Sequence, residues 1–271
     1  MITKDIFMLC KSMLPEETDK INDDSHLANI KFDGERIIAV VLKGDVILFN
    51  RRGKICNFNF REVVEDLKKI NEDVILDGEI ISREDDFTKL MTRARITQHG
   101  KIAQREKDVP IKYMVFDILK SGEQDLRHSS LHNRIKEMNK VVIPTENVEV
   151  AEFGNVKDML DKAREQKREG IVVKNIYSDY ESRRSENWLK VKFFKETTFK
   201  AIRYTPNNAG IRVEDSLGRA VQITGQQHEE VKAILDSKGE VEIYIQYLSQ
   251  NADNGNFRFP SFRGLVGGEN V

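Results

Sequence analysis

The sequence contains few cysteines and no long apolar run. Cys10 and Cys56 are the two cysteines among 271 residues, too few for a disulfide scaffold or a four-cysteine zinc module. They suit a reducing compartment. No stretch approaches the roughly 18 apolar residues of a membrane-spanning helix, and Lys4, Asp5 and Lys11 interrupt the apolar residues at the start. We therefore expect a cytoplasmic protein without a signal peptide.

An excess of charge of one sign is also missing. Lysine and arginine number 44, aspartate and glutamate 45, and the net charge is −1. This balance argues against a basic surface covering the whole molecule but leaves room for a local one. Residues 88–107 hold six basic residues and only one acidic residue. Such a segment is typical of a solvated helix face or of a surface that contacts nucleic acid phosphates.

Short β-rich runs alternate irregularly with helical patterns, which favours an α+β domain with antiparallel sheets over a doubly wound parallel sheet. The runs 36–42 and 46–50 flank Lys43-Gly44-Asp45, a predicted hairpin turn. Apolar residues at helical spacing predict helices over residues 60–70, 131–138, 156–166 and around 229–235. From residue 194 the chain is mostly strands and glycine-punctuated turns. We therefore predict a first domain over residues 1–193 and a small all-β barrel of the OB type over 194–271.

The segment Lys31-Phe32-Asp33-Gly34-Glu35-Arg36 lies between two apolar strands. A lysine amine attacks phosphorus only when it is deprotonated, which requires burial or a neighbouring cation. Gly34 lets the backbone approach a ligand closely, and Arg36 could hold phosphate oxygens with two hydrogen bonds. An exposed lysine before an ordinary Asp-Gly turn is the alternative interpretation of these residues alone.

Further charged residues interrupt other apolar strands. Glu79 lies in VILDGEII, Glu169 opens EGIVVK, and Lys190 and Lys192 stand two apart in WLKVK. Strand alternation places these two ammonium groups on one face, where a phosphate would relieve their repulsion. The glutamates are oxygen ligands suited to Mg²⁺. The pattern predicts a charged pocket where two sheets meet.

In this order, the motifs resemble those of ATP-dependent DNA ligases, within the wider group of covalent nucleotidyltransferases. KFDGER is similar to the nucleophile motif KxDGxR, and Asn50-Arg51-Arg52-Gly53 to an SRxG-like hairpin. LDGEI, YMVFDIL, EGIVVK and WLKVK resemble the four motifs that follow in that family. The resemblance covers about residues 7–265. It implies a nucleotidyltransferase (adenylation) domain followed by an OB-fold domain.

The resemblance also implies roles for individual residues. Lys31 would be the nucleophile that takes AMP from ATP, and Arg51 would meet the 5′-phosphate of the nick. Glu79 and Glu169 would bind Mg²⁺ or Mn²⁺. The residues expected to bind the nucleotide are Asn29, Ile30, Arg36, Arg51, Glu79, Phe116, Lys190 and Lys192, with Phe116 stacking on adenine. Those expected to contact DNA are Arg51, Arg93, Arg95, Lys101 and Arg105.

The implied reaction has three steps. The lysine attacks the α-phosphorus of ATP, AMP moves to the 5′-phosphate of nicked duplex DNA, and the 3′-hydroxyl then expels AMP. ATP is expected rather than NAD⁺ because only 30 residues precede Lys31 and the cysteines cannot build the zinc module of NAD⁺-dependent ligases. We expect a monomer that has no membrane partner.

Two departures from the family pattern leave alternatives open. Asn29 stands where DNA ligases usually have glutamate, although its amide oxygen can still accept a hydrogen bond from adenine. The chain also continues as Val266–Val271 without the Arg, Asp or Lys of an RxDK-like tail. An RNA ligase or capping-type nucleotidyltransferase is one alternative. A nick-binding protein impaired in self-adenylation is the other.

Overall fold

The chain divides into two compact units, the first ending at Val191 and the second beginning at Lys192. The computed structural model describes residues 12–17, 25–251 and 254–267. Cys10 and residues 268–271 of the tail lie outside these ranges. Both units combine strands with helices, and most neighbouring strands run antiparallel, in agreement with the predicted class. In the described ranges, no helix is long and apolar enough to cross a membrane.

The described residues of the first unit form ten strands and five helices. The strands are β1 (Leu14–Glu17), β2 (His26–Ile30), β3 (Glu35–Leu42), β4 (Asp45–Asn50), β5 (Val74–Ser82), β6 (Ile111–Ser121), β7 (Gln124–Asp125), β8 (Val148–Val150), β9 (Gly170–Asn175) and β10 (Arg184–Lys192). The helices are α1 (Arg61–Leu67), α2 (Phe87–Ala94), α3 (His99–Asp108), α4 (Leu131–Val141) and α5 (Val156–Glu165), and a short 3-10 turn spans Asn57–Asn59.

The larger sheet of the first unit has the order β4-β3-β5-β6-β7, with β8 beside β6. Its central strands carry apolar side chains on both faces, because each face of the sheet packs in a core. On β3, Ile37 and Ala39 join a core that also contains apolar side chains of α1, α2 and α4. Ile38 and Val40 face the other way and pack in a second core with Phe116 and Trp188. Strand alternation therefore separates a helix-covered face from the face that carries the aromatic residues.

The smaller sheet has the order β1-β10-β9-β2. Strands β2 and β9 pair antiparallel, with Ile30 opposite Ile171, while β1 and β10 pair parallel. Trp188 of β10 is 1 % exposed and belongs to the same core as Ile38 and Val40 of the larger sheet. The two sheets therefore share this core, and β2 brings the KFDGER segment to where they meet.

In the second unit, the described residues form short strands and one helix. Its elements are β11 (Lys195–Ala201), β12 (Arg203–Asn207), β13 (Gly210–Glu214), β14 (Ala220–Ile223), α6 (Gln227–Lys238), β15 (Val241–Tyr247), β16 (Ser249–Gln250), β17 (Phe257–Arg258) and β18 (Ser261–Leu265). They form the sheets β11-β15-β18, β12-β13-β14 and β16-β17. Apolar residues such as Ile211, Val231 and Ile243 give the unit its own core.

The predicted local features are largely confirmed. The four helical patterns correspond to α1, α4, α5 and α6, and the predicted hairpin joins β3 to β4. Lys43 and Gly44 at its turn both have positive φ angles, 50° and 83°, as a tight two-residue hairpin turn requires. The basic segment 88–107 forms most of α2 and α3.

Candidate active site

The register between β2 and β9 places Lys31 beside Glu169. The Lys31 backbone N–H donates to the carbonyl oxygen of Gly170 at 2.9 Å. The Lys31 ammonium lies 2.8 Å from Oε2 of Glu169, and the two side chains are 22 % and 7 % exposed. Two residues 138 positions apart in the sequence thus form one ion pair, and the Lys31 side chain keeps limited access to solvent.

Arg36 of β3 is bound by Asp77. Its guanidinium donates two hydrogen bonds to the Asp77 carboxylate, at 2.8 and 2.5 Å. The Tyr180 hydroxyl donates to the same carboxylate at 2.6 Å and accepts a hydrogen bond from the Met13 backbone N–H. Burial disfavours the charge of Arg36, but the attraction of Asp77 outweighs it and the pKa of Arg36 lies above its ordinary value.

Asp77 and Tyr180 are not among the predicted site residues. The sequence did contain a signal for Asp77, which is a carboxylate within an apolar strand. Such a group needs a charged or hydrogen-bonding partner when it is buried, and Asp77 is fully buried. The hydrogen bond between Tyr180 and Asp77 was not predicted, because it joins residues 103 positions apart.

Glu79 pairs across the sheet with Arg36 and lies near Lys31. Burial raises the pKa of Glu79 to about 7, while the positive charges of Lys31 and Arg36 act in the opposite direction. In the described part of the chain, no group of three or more His, Cys, Asp or Glu side chains could hold a metal ion. Binding of Mg²⁺ or Mn²⁺ by Glu79 and Glu169 stays a prediction. Two carboxylates would leave the remaining ligand positions to water and phosphate oxygens, as Mg²⁺ prefers.

Asn29 offers an unused hydrogen-bond acceptor. The side chain is 2 % exposed, and its Nδ2 donates to the backbone oxygen of Ile30 at 2.8 Å. This bond fixes the orientation of the amide and leaves Oδ1, which accepts no hydrogen bond from any described residue. A buried acceptor without a partner suits a ligand that carries an N–H donor. The Ile30 side chain is 7 % exposed and belongs to the core.

Phe116 is buried among aromatic and cationic groups. Its ring is 6 % exposed and packs edge-on against Trp188 with the ring centres 6.0 Å apart. The Arg36 guanidinium and the Lys174 ammonium lie 4.8 and 4.6 Å from the ring centre. Stacking of Phe116 on adenine stays a prediction. It would require Arg36 or Lys174 to move away from one face of the Phe116 ring.

Lys174 is a buried cation that the sequence analysis did not single out. It is 1 % exposed, its ammonium donates to the Phe116 backbone oxygen at 3.1 Å, and the rings of Trp188, Phe116 and Phe153 surround it at 3.9, 4.6 and 5.1 Å. Burial lowers the pKa of Lys174 to about 7. Alternation along β9 provided a signal, because Lys174 shares a strand face with Val172, which packs against the aromatic core.

Lys190 and Lys192 are both half-buried on β10. Strand alternation would place both side chains on one side of β10, and this stays a prediction. The Lys192 ammonium lies 5.7 Å from the ring centre of Phe194 and 5.2 Å from that of Phe259. These are cation–π distances.

The predicted DNA contacts divide into exposed residues and one buried residue. Arg51, Arg95, Lys101 and Arg105 are exposed. Arg93 is fully buried, and its guanidinium donates to the backbone oxygens of Asn59 and Val109 and to the Glu62 carboxylate. The prediction that Arg93 binds DNA is therefore wrong, because its donors serve to join α2 to neighbouring segments. Helical spacing places Arg93 on the side of α2 that faces the core.

A family model described as the ATP-dependent DNA ligase domain matches residues 7–192. The chain belongs to the ATP-dependent DNA ligase family. It is an enzyme that seals nicks in DNA with ATP through an adenylate intermediate. The ligase is 29 % identical, over 267 residues, to the SPbeta prophage-derived DNA ligase-like protein LigB of Bacillus subtilis strain 168, a match covering 90 % of this chain and 94 % of that protein.

Larger relatives share only part of their length with the ligase. It is 30 % identical over 180 residues to a DNA ligase of Methanothrix thermoacetophila, covering 60 % of this chain and 31 % of that protein. A DNA ligase of Saccharolobus islandicus gives 30 % identity over 197 residues and 32 % coverage of that protein. The ligase therefore spans about a third of these archaeal proteins.

Solved ligase structures share the fold. The ligase superposes on Pmar-Lig_PreS3 with a TM-score of 0.75 at 20 % identity, over 95 % of this chain and 68 % of the other. A structure from the work "DNA binding with a minimal scaffold: Structure-function analysis of Lig E DNA ligases" gives a TM-score of 0.69 at 18 % identity, over 94 % and 99 % of the two chains. At these identities the likeness concerns the fold alone.

Proposed function

We propose that Lys31 is the nucleophile of this ligase. The observation that carries the proposal is the Lys31–Glu169 ion pair at 2.8 Å, which holds the amine at the meeting of the two sheets. In the first step the Lys31 nitrogen forms a bond to the α-phosphorus of ATP and the bond to pyrophosphate breaks. The Lys31 ammonium first loses a proton to solvent, because only the neutral amine has a lone pair for the attack, and its ion pair with Glu169 is lost with the charge.

The remaining two steps conserve the phosphoanhydride energy. The 5′-phosphate of the nick attacks the phosphorus held by Lys31, forming a DNA-adenylate and freeing the lysine. The 3′-hydroxyl next attacks the 5′-phosphorus, the new phosphodiester bond forms, and AMP leaves. Lys190 and Lys192 are proposed to neutralise charge on the α-phosphate in these transfers, an electrostatic role suited to two ammonium groups on one strand face.

Asn29 is proposed to read the base. The Oδ1 atom without a partner would accept a hydrogen bond from the amino group of adenine. Guanine presents an acceptor at the corresponding position, so two acceptors would face each other. This supports an adenylyl-enzyme and argues against a guanylyl transfer of the capping type.

Glu79 and Glu169 are proposed to hold Mg²⁺ or Mn²⁺ together with phosphate oxygens. When bound, the metal supplies positive charge that offsets charge on the phosphates. Arg36 is proposed to act on the nucleotide chiefly through its charge, because the Nε and Nη2 edge of its guanidinium is engaged by Asp77. It contributes positive charge and a fixed ring neighbour for Phe116.

The first unit is proposed to be a nucleotidyltransferase domain. The second unit is proposed to be an OB domain that binds duplex DNA. Its short antiparallel strands, single helix and own core support this assignment. Exposed Arg51, Arg95, Lys101 and Arg105 are proposed to contact DNA phosphates. Such contacts fix position without reading sequence, which suits an enzyme that recognises nicks.

The test is to incubate the protein with Mg²⁺ and labelled ATP or GTP, and to measure an acid-labile adduct by intact mass. We expect an AMP adduct on wild type, none on Lys31→Ala, and sealing of a nicked duplex by wild type alone. Equal labelling of Lys31→Ala would overturn the nucleophile assignment, and preferential labelling by GTP would overturn the role of Asn29. Sealing of a pre-adenylated nick without self-labelling would show that the first step is impaired.

A further inference from the structure

Glu35 is the residue of KFDGER that lies on the opposite face of β3 from Arg36. Its Oε1 accepts a hydrogen bond from Asn50 Nδ2 at 3.1 Å. Its Oε2 is buried and accepts no hydrogen bond within the described part of the chain. The family motif leaves this position open, and the reaction proposed above gives it no role. The role of this partly buried carboxylate must therefore lie in its contact with the Asn50 amide.

Asn50 connects Glu35 to the hairpin loop after β4. The Asn50 Oδ1 accepts hydrogen bonds from the backbone N–H groups of Arg52 and Lys54, both at 3.0 Å. The Asn50 backbone also bonds to Gly53 and Lys54, at 2.8 and 3.0 Å. One asparagine thus sets the conformation of the loop with its side-chain oxygen, while its side-chain nitrogen is bound by Glu35.

The loop 50–54 is strongly cationic. Arg51, Arg52 and Lys54 are all exposed. Burial raises the pKa of Glu35, while the hydrogen bond from Asn50 and the positive charges of Lys54 and Arg95 act in the opposite direction. The Glu35 carboxylate is therefore within electrostatic reach of cations from two separate segments of the chain, the hairpin loop and the end of α2.

We propose that Glu35 is a positioning residue for DNA, which holds the Asn50–Lys54 loop through Asn50 so that Arg51 meets the 5′-phosphate of the nick. This rests on the proposed role of Arg51. Three neighbouring cations repel one another, and the loop keeps one conformation only if its backbone is fixed. Glu35 fixes it from below by accepting the hydrogen bond that orients the Asn50 amide.

Loss of Glu35 should affect nick sealing but not self-adenylation. Glu35 lies on the β3 face away from Arg36, so its loss leaves self-adenylation of Lys31 intact. Sealing of a pre-adenylated nick depends on seating the DNA end and should fail. The experiment measures both rates for wild type, Glu35→Ala, Asn50→Ala, the double variant and Glu35→Gln, with thermal unfolding of each. Glu149→Ala, which removes an exposed carboxylate paired with Lys112, is the matched control.

We expect Glu35→Ala and Asn50→Ala each to slow sealing by about tenfold or more, the scale of a lost hydrogen bond to a charged group, and to self-adenylate within about twofold of wild type. The double variant should be no worse than the poorer single variant, since both remove one interaction. Glu35→Gln retains an oxygen acceptor for Asn50 and should recover most of the sealing rate. Glu149→Ala should behave as wild type.

Several results would overturn the inference. One is a Glu35→Ala variant that seals at the wild-type rate, and another is a loss of self-adenylation in the same proportion as sealing. Additive effects of the two alanine variants, or a Glu35→Gln variant that seals as slowly as Glu35→Ala, would also do so. A wild-type protein that never forms the Lys31 adduct would instead contradict the proposed function. If Glu35→Ala does not fold, Asn50→Ala and Glu35→Gln still test the inference. It requires Asn50→Ala to seal slowly and Glu35→Gln to seal at nearly the wild-type rate.

Discussion

The ammonium of Lys174 lies 3.9 Å from the centre of the Trp188 ring. Burial lowers the pKa of Lys174 to about 7, against about 10.4 for a lysine in an unfolded chain. Between these values the unfolded chain binds a proton that the folded chain does not, so stability should rise with pH. Below pH 7 both states are protonated and this contribution to the slope vanishes.

Lys174→Met should remove this pH dependence. We expect the free energy of unfolding of wild type to rise, relative to the variant, by up to about 1.4 kcal/mol per pH unit between pH 7 and pH 10. Urea unfolding at four pH values would measure the difference. A constant difference between the two proteins across this range would show that Lys174 does not change its charge.

Asn29→Ala should weaken the preference for ATP over GTP. Removal of the free Oδ1 acceptor should raise the KM for ATP in self-adenylation about fivefold to tenfold, the value of one hydrogen bond, with little effect on sealing of a pre-adenylated nick. Asn29→Asp still presents an acceptor and should remain selective for ATP. An unchanged KM for ATP in Asn29→Ala would remove the residue from the base site.

Arg93 and Arg95 lie two residues apart and should behave oppositely. Arg93→Ala leaves buried carbonyls and Glu62 without their donor, and should destabilise the fold by about 3 kcal/mol. Arg95→Ala should fold as wild type but bind nicked DNA more weakly, with the salt slope of log K reduced by about 0.9. Chemical unfolding and binding titrations at several salt concentrations measure the two effects. A normal salt slope in Arg95→Ala would exclude a phosphate contact.

Gly34 and Gly100 provide a matched pair for the backbone. A Cβ atom at Gly34 would lie 2.0 Å from the Ile80 backbone oxygen, so Gly34→Ala should destabilise by on the order of 3 kcal/mol and displace Lys31. At Gly100, on α3, nothing lies within 4 Å of a Cβ atom, and alanine should stabilise by about 0.5–1 kcal/mol. Thermal unfolding tests both, and a neutral Gly34→Ala would contradict the close approach of β3 and β5.

The amino-acid pattern was sufficient for features that depend on nearby residues. Apolar spacing located α1, α4, α5 and α6, and turn residues located the β3–β4 hairpin, because helices and tight turns form from local contacts. The motif order predicted the family and placed Lys31 and Glu169 in one pocket. The sequence could not exclude Arg93 from the DNA surface, since a cation within a basic run looks the same whether it faces solvent or the core.

Only the tertiary structure decided which distant groups meet. It joined Arg36, Asp77 and Tyr180 through one carboxylate and enclosed Lys174 in three aromatic rings. It also left the Asn29 Oδ1 without a hydrogen-bond donor among the described residues. Strand alternation indicates the face on which a side chain lies but not what lies opposite, because sheet packing brings together residues more than 100 positions apart. By itself the sequence determined the residues available for nucleotide chemistry, and the packing of two sheets decided which of them are placed to perform it and which hold the others in position.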